Sequence, residues 1–263
     1  MGFKGKVVAI TGGSRGLGAG FARRFAEEGA DISICALQED RLKKTAAEIA
    51  QKGRKALWAV CDVTKKDDIA NFARRTLEEF GHVDILINNA GALAFADFLH
   101  TTDEIWDYMI DVNLNSARRV TQAFLPSMLD RGSGKVIFMS SNTAKRAFIN
   151  DMAYACAKGG LLRMAKVLAN EVGTKGIDVF CICPGLVAET DLGDMVVVDH
   201  ANDPNRPFKG DKDAFWKWAN TLSSKGHHPT MKQIVDLVTF MASDEATVLH
   251  GALISGDHGM TDW

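Results

Sequence analysis

Short runs of β-branched and apolar residues alternate along this chain with longer segments that have helical periodicity. The run Val7-Val8-Ala9-Ile10-Thr11 is the first of the short runs, and Leu17, Phe21 and Phe25 then fall on one helical stripe. The pattern predicts strands near 6–11, 31–36, 55–60, 84–88, 134–140, 177–182 and 251–255, and helices near 17–28, 39–52, 66–80, 102–130, 152–173, 212–222 and 230–242. Strands that alternate with helices favour a parallel sheet with helices on both faces. We therefore predict one doubly wound α/β domain with seven parallel strands over residues 1–263.

The periodicity weakens between residues 186 and 229. Pro204, Pro207 and Pro229 fall in this segment, together with many polar residues and the aromatic cluster Phe215-Trp216-Lys217-Trp218. A long irregular segment inside an α/β domain is often a functional lid. Disorder is the alternative, but the aromatic residues argue against it. We predict a substrate-binding lid around 186–229.

Composition indicates chemistry on a small molecule. The 263 residues are 46% hydrophobic and 24% charged, with a net charge of −2, so nothing favours binding to nucleic acid or to a membrane. The N-terminus leads almost directly into the first predicted strand, and we expect a cytoplasmic protein. The cysteines occur in apolar contexts without a metal-ligand spacing, so we predict small buried thiols and no metal site. They are Cys35, Cys61, Cys156, Cys181 and Cys183.

A glycine-rich loop joins the first predicted strand to the first predicted helix. Glycines let the backbone turn tightly and approach an anion, and the helix N-terminus offers free N–H groups to a pyrophosphate. The spacing is G-x-x-x-G-x-G, which differs from the general dinucleotide fingerprint, and a tight turn without a ligand is the alternative. The candidate cofactor-binding residues of this loop are Gly12, Ser14, Arg15, Gly16, Leu17 and Gly18.

Three further motifs follow predicted strands, where a bound dinucleotide would run along the carboxyl edge of the sheet. Asp62-Val63 follows the third strand, and Asp62 either accepts a hydrogen bond from an adenine amino group or caps a helix. Asn89-Ala90-Gly91 follows the fourth strand, with small residues that let the backbone pass close to a ribose. Pro184-Gly185 follows the sixth strand, where a rigid and then a permissive residue shape a turn beside a nicotinamide.

Tyr154 and Lys158 lie four residues apart on the helix predicted over 152–173, so they share one face of it. A neighbouring ammonium favours the phenolate, and we therefore expect Lys158 to lower the pKa of Tyr154. Such a tyrosine is suited to general acid and base catalysis. The pair alone is a common feature of solvated helices.

Taken together, these motifs resemble the short-chain dehydrogenase/reductase family along nearly the whole chain. T-G-x-x-x-G-x-G, N-N-A-G, a serine, Y-x-x-x-K and P-G occur in the family's order. The family's separation between serine and tyrosine selects Ser141 over Ser140. The resemblance implies a Rossmann-type fold, a catalytic tyrosine at Tyr154, and a hydrogen bond from Ser141 to the substrate oxygen. It further implies that Lys158 binds the nicotinamide ribose and that Asn113 supports a proton relay to Lys158.

The resemblance also implies a nicotinamide cofactor, with further contacts from Val187 and Thr190. Members that prefer NAD usually carry an aspartate at the end of the second strand, where this chain has Ala36. Members that prefer NADP often carry a basic residue where Arg15 stands, although their second arginine is replaced by Leu37. We expect NADP(H), with NAD(H) as the alternative.

The implied activity is an NAD(P)-dependent oxidoreductase that interconverts a ketone and a secondary alcohol. We expect the substrate, a cyclic ketone or a sugar- or polyol-like molecule, to enter between 92–94, 142–152 and the lid tryptophans Trp216 and Trp218. Lys145, Arg146 and Asn150 are expected to influence its selection. The alternatives are a non-enzymatic NAD(P)-binding sensor and an epimerase or lyase of the same family.

The family usually forms homodimers or homotetramers through the helices predicted here at 102–130 and 152–173, and we expect the same assembly. Asp257-His258-Gly259 stands where the family more often has Asp-Gly-Gly. We interpret His258, His227 and His228 as surface residues.

Overall fold

Seven parallel strands form the central sheet of the computed structural model, which describes residues 2–204 and 206–262. The strands are β1 (Val7–Thr11), β2 (Asp31–Ala36), β3 (Ala56–Val60), β4 (Ile85–Asn88), β5 (Gly134–Met139), β6 (Ile177–Pro184) and β7 (Leu253–Gly256). Their order in the sheet is β3-β2-β1-β4-β5-β6-β7. This confirms the predicted fold class. Met1, Asn205 and Trp263, which fall within the predicted domain or lid, lie outside the described residues.

Helices cover both faces of this sheet. They are α1 (Gly16–Glu27), α2 (Glu39–Ala50), α3 (Lys66–Phe80), α4 (Asp103–Ile110), α5 (Ser116–Arg131), α6 (Met152–Val172), α7 (Asp191–Asn202), α8 (Lys212–Asn220) and α9 (Met231–Met241). None of the helices in the described ranges is long and apolar enough to cross a membrane.

The alternation of side chains along each strand divides the core into two layers. Val7 and Ala9 of β1 face a cluster that includes Phe72 of α3 and Phe124 of α5, whose rings meet edge to face at 5.7 Å. Their neighbours Val8 and Ile10 face the opposite cluster, which α1, α2 and α9 cover. Because both faces are buried, the strands are nearly continuous apolar runs.

The order of the strands determines where a ligand can bind. Strand β1 lies between β2 and β4, so the chain leaves β1 toward one side of the sheet and later fills the other side. The loops after β1 and β4 therefore diverge and leave a crevice at the carboxyl edge. The predicted glycine loop and the segment Asn89-Ala90-Gly91 both border this crevice.

The long helix predicted near 102–130 is divided into two by a π-helical turn over Asp111–Asn115. Within it, the Asn113 side chain donates to the Met109 carbonyl oxygen at 3.0 Å and to the Ala92 carbonyl oxygen at 2.9 Å. Such turns are frequent at functional sites, and apolar periodicity does not reveal them.

The segment around 186–229 contains two helices, α7 and α8, of which the sequence pattern predicted the second alone. Helix α7 was not predicted, because it contains three successive valines and Gly193, and both residue types are poor helix formers. Val197 and Ala201 of α7 pack against Phe208, Phe215 and Ala219 in a separate small core. This packing explains why the segment is ordered in the described residues.

Candidate active site

A cleft of about 390 Å³ opens along the carboxyl edge of the sheet, and every catalytic and cofactor-binding residue predicted from the sequence lines it. The residues of the glycine loop and strand ends are Gly12, Ser14, Arg15, Gly16, Leu17, Gly18, Asp62, Val63, Asn89, Ala90, Gly91, Pro184, Gly185, Val187 and Thr190. The predicted catalytic residues Asn113, Ser141, Tyr154 and Lys158 line the same cleft. The fold thus brings together residues from distant parts of the chain.

The glycine loop has the form of an anion cradle. Gly12 has φ +70°, and a Cβ at Gly18 would lie 2.1 Å from the Gly12 carbonyl oxygen, so the loop closes only with glycine there. Helix α1 begins at Gly16 without a side-chain cap on its N-terminal amides. Uncapped amides at a helix N-terminus are suited to bind a phosphate, and this arrangement fits the pyrophosphate of a dinucleotide.

The neighbouring strand end supports this loop. The Thr11 hydroxyl oxygen accepts hydrogen bonds from the backbone N–H groups of Asn89 at 3.1 Å and of Ala90 at 3.0 Å. The Asn89 side chain donates to the Thr11 carbonyl oxygen at 3.0 Å. These bonds hold the ends of β1 and β4 at a constant separation.

The other two strand-end motifs use part of their bonding capacity locally. Asp62 accepts hydrogen bonds from the backbone N–H and the hydroxyl of Thr64, at 2.9 and 2.7 Å. A Cβ at Gly185 would lie 3.1 Å from the Cα of Asp257, so the turn after β6 packs closely on the segment after β7. Thr190 caps α7, because its hydroxyl oxygen accepts from the Gly193 N–H at 3.0 Å.

Two arginines meet on one carboxylate beside the glycine loop. Arg15 donates to Asp191 Oδ2, and Arg41 in the first turn of α2 donates to the same oxygen at 2.9 Å. The hydrogen bonds from Arg41 and Arg15 hold the pKa of Asp191 below its usual value. The sequence pattern did not identify Arg41. The family's second arginine is expected directly after β2, where this chain has Leu37, whereas Arg41 lies further along the chain in α2.

Ser141, Tyr154 and Lys158 meet at the opposite end of the cleft. Tyr154 and Lys158 are 7% and 4% exposed. Lys158 Nζ donates to the Met139 carbonyl oxygen at 3.0 Å and lies 5.5 Å from the centroid of the Tyr154 ring. Ser140 donates to the Lys158 carbonyl oxygen at 2.8 Å, whereas the Ser141 hydroxyl donates to Asn142 Oδ1 at 3.3 Å and is close enough to the Tyr154 phenol to lower its pKa. Of the two serines, Ser141 is therefore the one that faces the phenol.

The pKa of Tyr154 differs from the sequence-based expectation. Burial raises it to about 12, the hydrogen bond to Ser141 lowers it in part, and the charge of Asp151 raises it further. Burial also lowers the pKa of Lys158 to about 8. The expectation that Lys158 lowers the tyrosine's pKa was wrong for this structure, because Lys158 Nζ lies over the ring and bonds to a backbone carbonyl.

Gly91 brings Asn113 and Lys158 close to one another. A Cβ at Gly91 would lie 2.7 Å from Asn113 Oδ1 and 3.3 Å from Lys158 Nζ. The Asn113 side chain also accepts from the Ala92 N–H at 3.2 Å and donates to the Ala92 carbonyl oxygen. Asn113 thus fixes the chain after β4 beside Lys158.

Comparison with known proteins agrees with this geometry. The family model described as short chain dehydrogenase matches residues 6–199. The chain belongs to the short-chain dehydrogenase family. It is therefore an oxidoreductase of that family, and a nicotinamide cofactor fits its glycine loop. One relative, the 3-oxoacyl-[acyl-carrier-protein] reductase FabG of Chlamydia muridarum, is 32% identical over 256 residues, which cover 97% of each chain.

Solved structures of this family superimpose on nearly the whole chain. NAD⁺-bound xylitol dehydrogenase has a TM-score of 0.93 at 25% identity and covers 98% of this chain and 99% of its own. L-sorbose reductase from Gluconobacter frateurii, in complex with NADPH and L-sorbose, has a TM-score of 0.91 at 29% identity. That alignment covers 100% of this chain and 99% of the reductase.

The substrate end of this short-chain dehydrogenase is walled by aromatic and aliphatic side chains. These are Leu93, Phe95, Phe148, Ile149, Phe215 and Trp218. Trp216, which the sequence placed at the entrance, packs instead on Phe215 and His228, with ring centroids 5.6 and 5.7 Å apart. It does not line the cleft, and neither does Ala94.

The three residues expected to influence substrate selection, Lys145, Arg146 and Asn150, do not line the cleft. Lys145 Nζ donates to Ser255 Oγ at 2.9 Å, and Arg146 donates to the Met260 carbonyl oxygen at 3.0 Å. Both side chains therefore tie the loop after β5 to the C-terminal segment, and Asn150 also lies outside the cleft. The polar residues that do line it include Asp151 and His200, which sequence reasoning missed.

Two further expectations need correction. Cys156 is exposed on α6, whereas the other four cysteines are buried as predicted. His227 is exposed, but His228 and His258 are half-buried. His258 has φ +57° and packs edge to face on His227 at 4.7 Å, and His228 lines the cleft. The turn after β7 therefore carries its histidine inward against the loop before α9.

Proposed function

We propose that this enzyme interconverts a ketone and a secondary alcohol, with Ser141, Tyr154, Lys158 and Asn113 as its catalytic set. One observation carries the proposal: a buried tyrosine, beside a buried serine and a buried lysine, lies in the same cleft as the glycine loop. The loop is suited to hold a dinucleotide, and the tyrosine is suited to exchange one proton with the substrate oxygen.

The high pKa of Tyr154 assigns it the role of proton donor in reduction. A phenol with a pKa of about 12 is protonated at neutral pH, so it donates a hydrogen bond and then a proton to the carbonyl oxygen. Ser141 donates a second hydrogen bond to that oxygen and stabilises the charge that develops on it. The nicotinamide, when bound, supplies or accepts the hydride.

Lys158 and Asn113 support this proton transfer from behind the tyrosine. Lys158 is anchored by the Met139 carbonyl oxygen and is close to Asn113 across Gly91. We infer that Lys158 binds the ribose hydroxyls of the cofactor and that Asn113 keeps a proton path open to it. Two groups with pKa values near 8 and 12 then pass a proton between solvent and substrate.

We propose NADP(H) as the preferred cofactor and NAD(H) as the alternative. Arg15 and Arg41 converge on Asp191 beside the adenosine end of the cleft. Two guanidinium groups that both bind a carboxylate are equally suited to bind a 2′-phosphate. L-sorbose reductase was solved with NADPH and xylitol dehydrogenase with NAD⁺, so relatives use both.

We propose that the segment 186–229 acts as a substrate-binding lid for a cyclic ketone or for a sugar- or polyol-like molecule. Its α7 and α8 contribute Val196, His200, Phe215 and Trp218 to the cleft. An aromatic wall suits the apolar face of a ring or of a sugar. The names of the two structural relatives, a xylitol dehydrogenase and an L-sorbose reductase, support the polyol reading.

Absorbance of the reduced nicotinamide tests the proposal. Wild type and Tyr154→Phe are mixed with NADPH or NADH and a panel of cyclic ketones, ketoses and polyols. We expect turnover in wild type and a loss of at least ~100-fold in Tyr154→Phe, since removing a positioned general acid costs roughly 10²- to 10⁴-fold. Quenching of tryptophan fluorescence by NADPH checks that the variant still binds cofactor. Redox turnover that persists unchanged in Tyr154→Phe would refute the mechanism, and an isomerised product without redox change would indicate an epimerase.

By family resemblance we also propose a homodimer or homotetramer. Leu161, Leu162 and Ala165 of α6 are buried in the sheet core, but Val167 on the same helix is 57% exposed. Light scattering after size-exclusion chromatography tests the assembly, with Val167→Asp as the variant. A monomeric wild type would exclude it.

A further inference from the structure

Asp151, the residue before α6, is a buried carboxylate in the substrate end of the cleft. It is 4% exposed and lines the cleft. Its Oδ1 is buried and has no hydrogen-bond partner in the described part of the chain. An acidic residue at a helix N-cap normally accepts a hydrogen bond from a first-turn amide, but the Asp151 side chain makes no such bond. Burial raises its pKa to about 6.

The backbone holds this carboxylate in position. Asn150 has φ +67°, a conformation that asparagine tolerates better than most residues, and its carbonyl oxygen accepts from the Ala96 N–H at 2.8 Å. Ala96 and Asp151 also form an isolated parallel bridge. The segment between β4 and α4 therefore holds Asp151 at the start of α6, and the Asp151 carboxylate stays buried.

Other unsatisfied polar atoms lie in the same region. Among the described residues, six buried side-chain nitrogen or oxygen atoms have no hydrogen-bond partner. Four of them belong to residues that line the cleft, namely Asp151, Thr143, His200 and His228, and of these His200 Nδ1 lies 3.4 Å from Asp199 Oδ2. Buried polar groups without partners are costly and uncommon. Their concentration in one cleft indicates that a polar ligand supplies the missing bonds.

We infer that the cleft selects a substrate with a hydroxyl on the carbon next to the reacting carbinol or carbonyl, and that the Asp151 carboxylate accepts the hydrogen bond of that hydroxyl. The substrate class is thus a vicinal diol or an α-hydroxyketone. This inference rests on the proposed function, because it places the reacting oxygen on Tyr154.

The position of Asp151 relative to Tyr154 supports a neighbouring hydroxyl. The two residues are three apart at the start of α6, where side chains of such spacing are adjacent. The charge of Asp151 acts on the Tyr154 phenol, so the two groups lie close together. A hydroxyl suits this place better than an ammonium, since Lys158 already puts one buried cation in the cleft.

Cyclohexanol and cis-1,2-cyclohexanediol form a matched pair of probes that differ in one hydroxyl. With NADP⁺ as oxidant, kcat/KM is measured for both in wild type, Asp151→Asn, Asp151→Ala and the control Asp67→Asn, which removes an exposed carboxylate from α3. Wild type should prefer the diol. Hydrogen bonds to a charged group are worth roughly 10- to 100-fold, so the ratio of the two values should fall by about that factor in both Asp151 variants and stay constant in Asp67→Asn.

Several outcomes would overturn the inference. These are an equal ratio in wild type and the Asp151 variants, a parallel loss with both probes, and a stronger preference for 1,3-cyclohexanediol or trans-2-aminocyclohexanol than for the 1,2-diol. Thermal melts and NADPH binding check that the variants fold.

If wild type oxidises neither probe, the role of Asp151 is tested by measuring how tightly each probe binds. The Kd of each probe is measured on NADP⁺-saturated Tyr154→Phe with and without Asp151→Asn. Tighter diol binding that Asp151→Asn abolishes would support the role of Asp151 even if the proposed reaction fails, and equal binding would refute it.

Discussion

At the glycine-loop end of the cleft, the polar groups of Thr11, Gly12 and Asn89 bond to one another. At the substrate end, Asp151 and Thr143 keep buried polar atoms that make no hydrogen bond within the described ranges. At the first end, hydrogen bonds within the protein fix the strand ends, and the uncapped backbone amides of α1 are the groups that a ligand would bond. The second holds groups whose desolvation is unbalanced until a ligand supplies bonds.

We infer from this difference that the two ends recognise their ligands in different ways, the first the proposed cofactor and the second the proposed substrate. Backbone amides and small residues bind a phosphate whatever else the ligand carries, so they serve any dinucleotide. Buried side chains without partners are selective, because a ligand that lacks the matching group leaves them unpaired. Mutations at the two ends should therefore act differently, on cofactor affinity and scaffold geometry at one end and on stability and substrate choice at the other.

The largest effect is expected from Gly18→Ala at the glycine-loop end. A Cβ there would lie 2.1 Å from the Gly12 carbonyl oxygen, so the loop must shift. Overpacking of this kind typically costs 1–3 kcal/mol or more, and we expect NADPH affinity to fall by roughly 10- to 100-fold. Fluorescence titration with NADPH measures the effect.

Gly159→Ala in α6 is the matched control. A Cβ at Gly159 meets nothing within 4 Å, and alanine favours a helix over glycine by about 0.5–1 kcal/mol. Its NADPH affinity should therefore remain that of wild type, with a small rise in stability. Equal affinities in wild type and Gly18→Ala would show that the loop is not the cofactor cradle.

The features that were predicted correctly from the sequence are mainly the elements of the fold and the glycine-loop end of the cleft. Strand β2 and helix α3 begin and end at the predicted residues, because apolar periodicity records which face each element buries. The residues predicted in the glycine loop and at the strand ends line one cleft, since backbone motifs after strands lie at one edge of any parallel sheet. For these features, local pattern and topology suffice.

The remaining features depend on neighbours that are distant in the sequence. Arg41 matters because Asp191 folds back onto it, and Asp151 Oδ1 has no hydrogen-bond partner among the described residues. Trp216 was placed in the cleft on residue type alone, whereas the packing of α8 selects Trp218. Helix α7 was missed because its valines are stabilised by tertiary contacts against the propensity of the segment.

The buried Asp151 carboxylate at the substrate end should lower the free energy of unfolding once it is ionised. The pKa of Asp151 rises on folding from 3.8 to about 6, so the folded state favours the protonated carboxyl and loses stability as pH rises through about 6. At 1.4 kcal/mol per pKa unit this corresponds to about 3 kcal/mol above pH 7. Asp151→Asn should be more stable than wild type by up to this amount at pH 8, and by about half of it at pH 5.

Urea unfolding at the two pH values measures this difference. Asp67→Asn removes an exposed carboxylate from α3 and is the control, because a surface substitution typically changes stability by less than about 0.5 kcal/mol. A destabilised Asp151→Asn at pH 8 would mean that the carboxylate is satisfied in solution. The contrast between the two ends of the cleft would then be lost.

A smaller effect is expected on cofactor choice. Arg15→Ala and Arg41→Ala each remove one cation beside Asp191, and the ratio of kcat/KM for NADPH over NADH should fall roughly tenfold in each. Asp191→Asn should raise NADPH affinity, because the competing carboxylate charge is gone. Arg74→Ala, on the exposed face of α3, is the control. An NADH preference in wild type would contradict the assignment.

The smallest effect links the substrate end to the chemistry. Alcohol oxidation requires Tyr154 to accept a proton, and the charge of Asp151 contributes to the raised pKa of that phenol. Asp151→Asn should lower this pKa, so the limb of the cyclohexanol oxidation profile that rises as the phenol loses its proton should move to lower pH by less than about one unit. Lys158, whose pKa burial lowers to about 8, remains in both proteins, and Asp67→Asn on α3 is the control for the loss of one negative charge. A limb that stays in place or moves to higher pH would contradict an electrostatic effect of Asp151 on Tyr154, because a carboxylate next to the phenol must favour the neutral phenol.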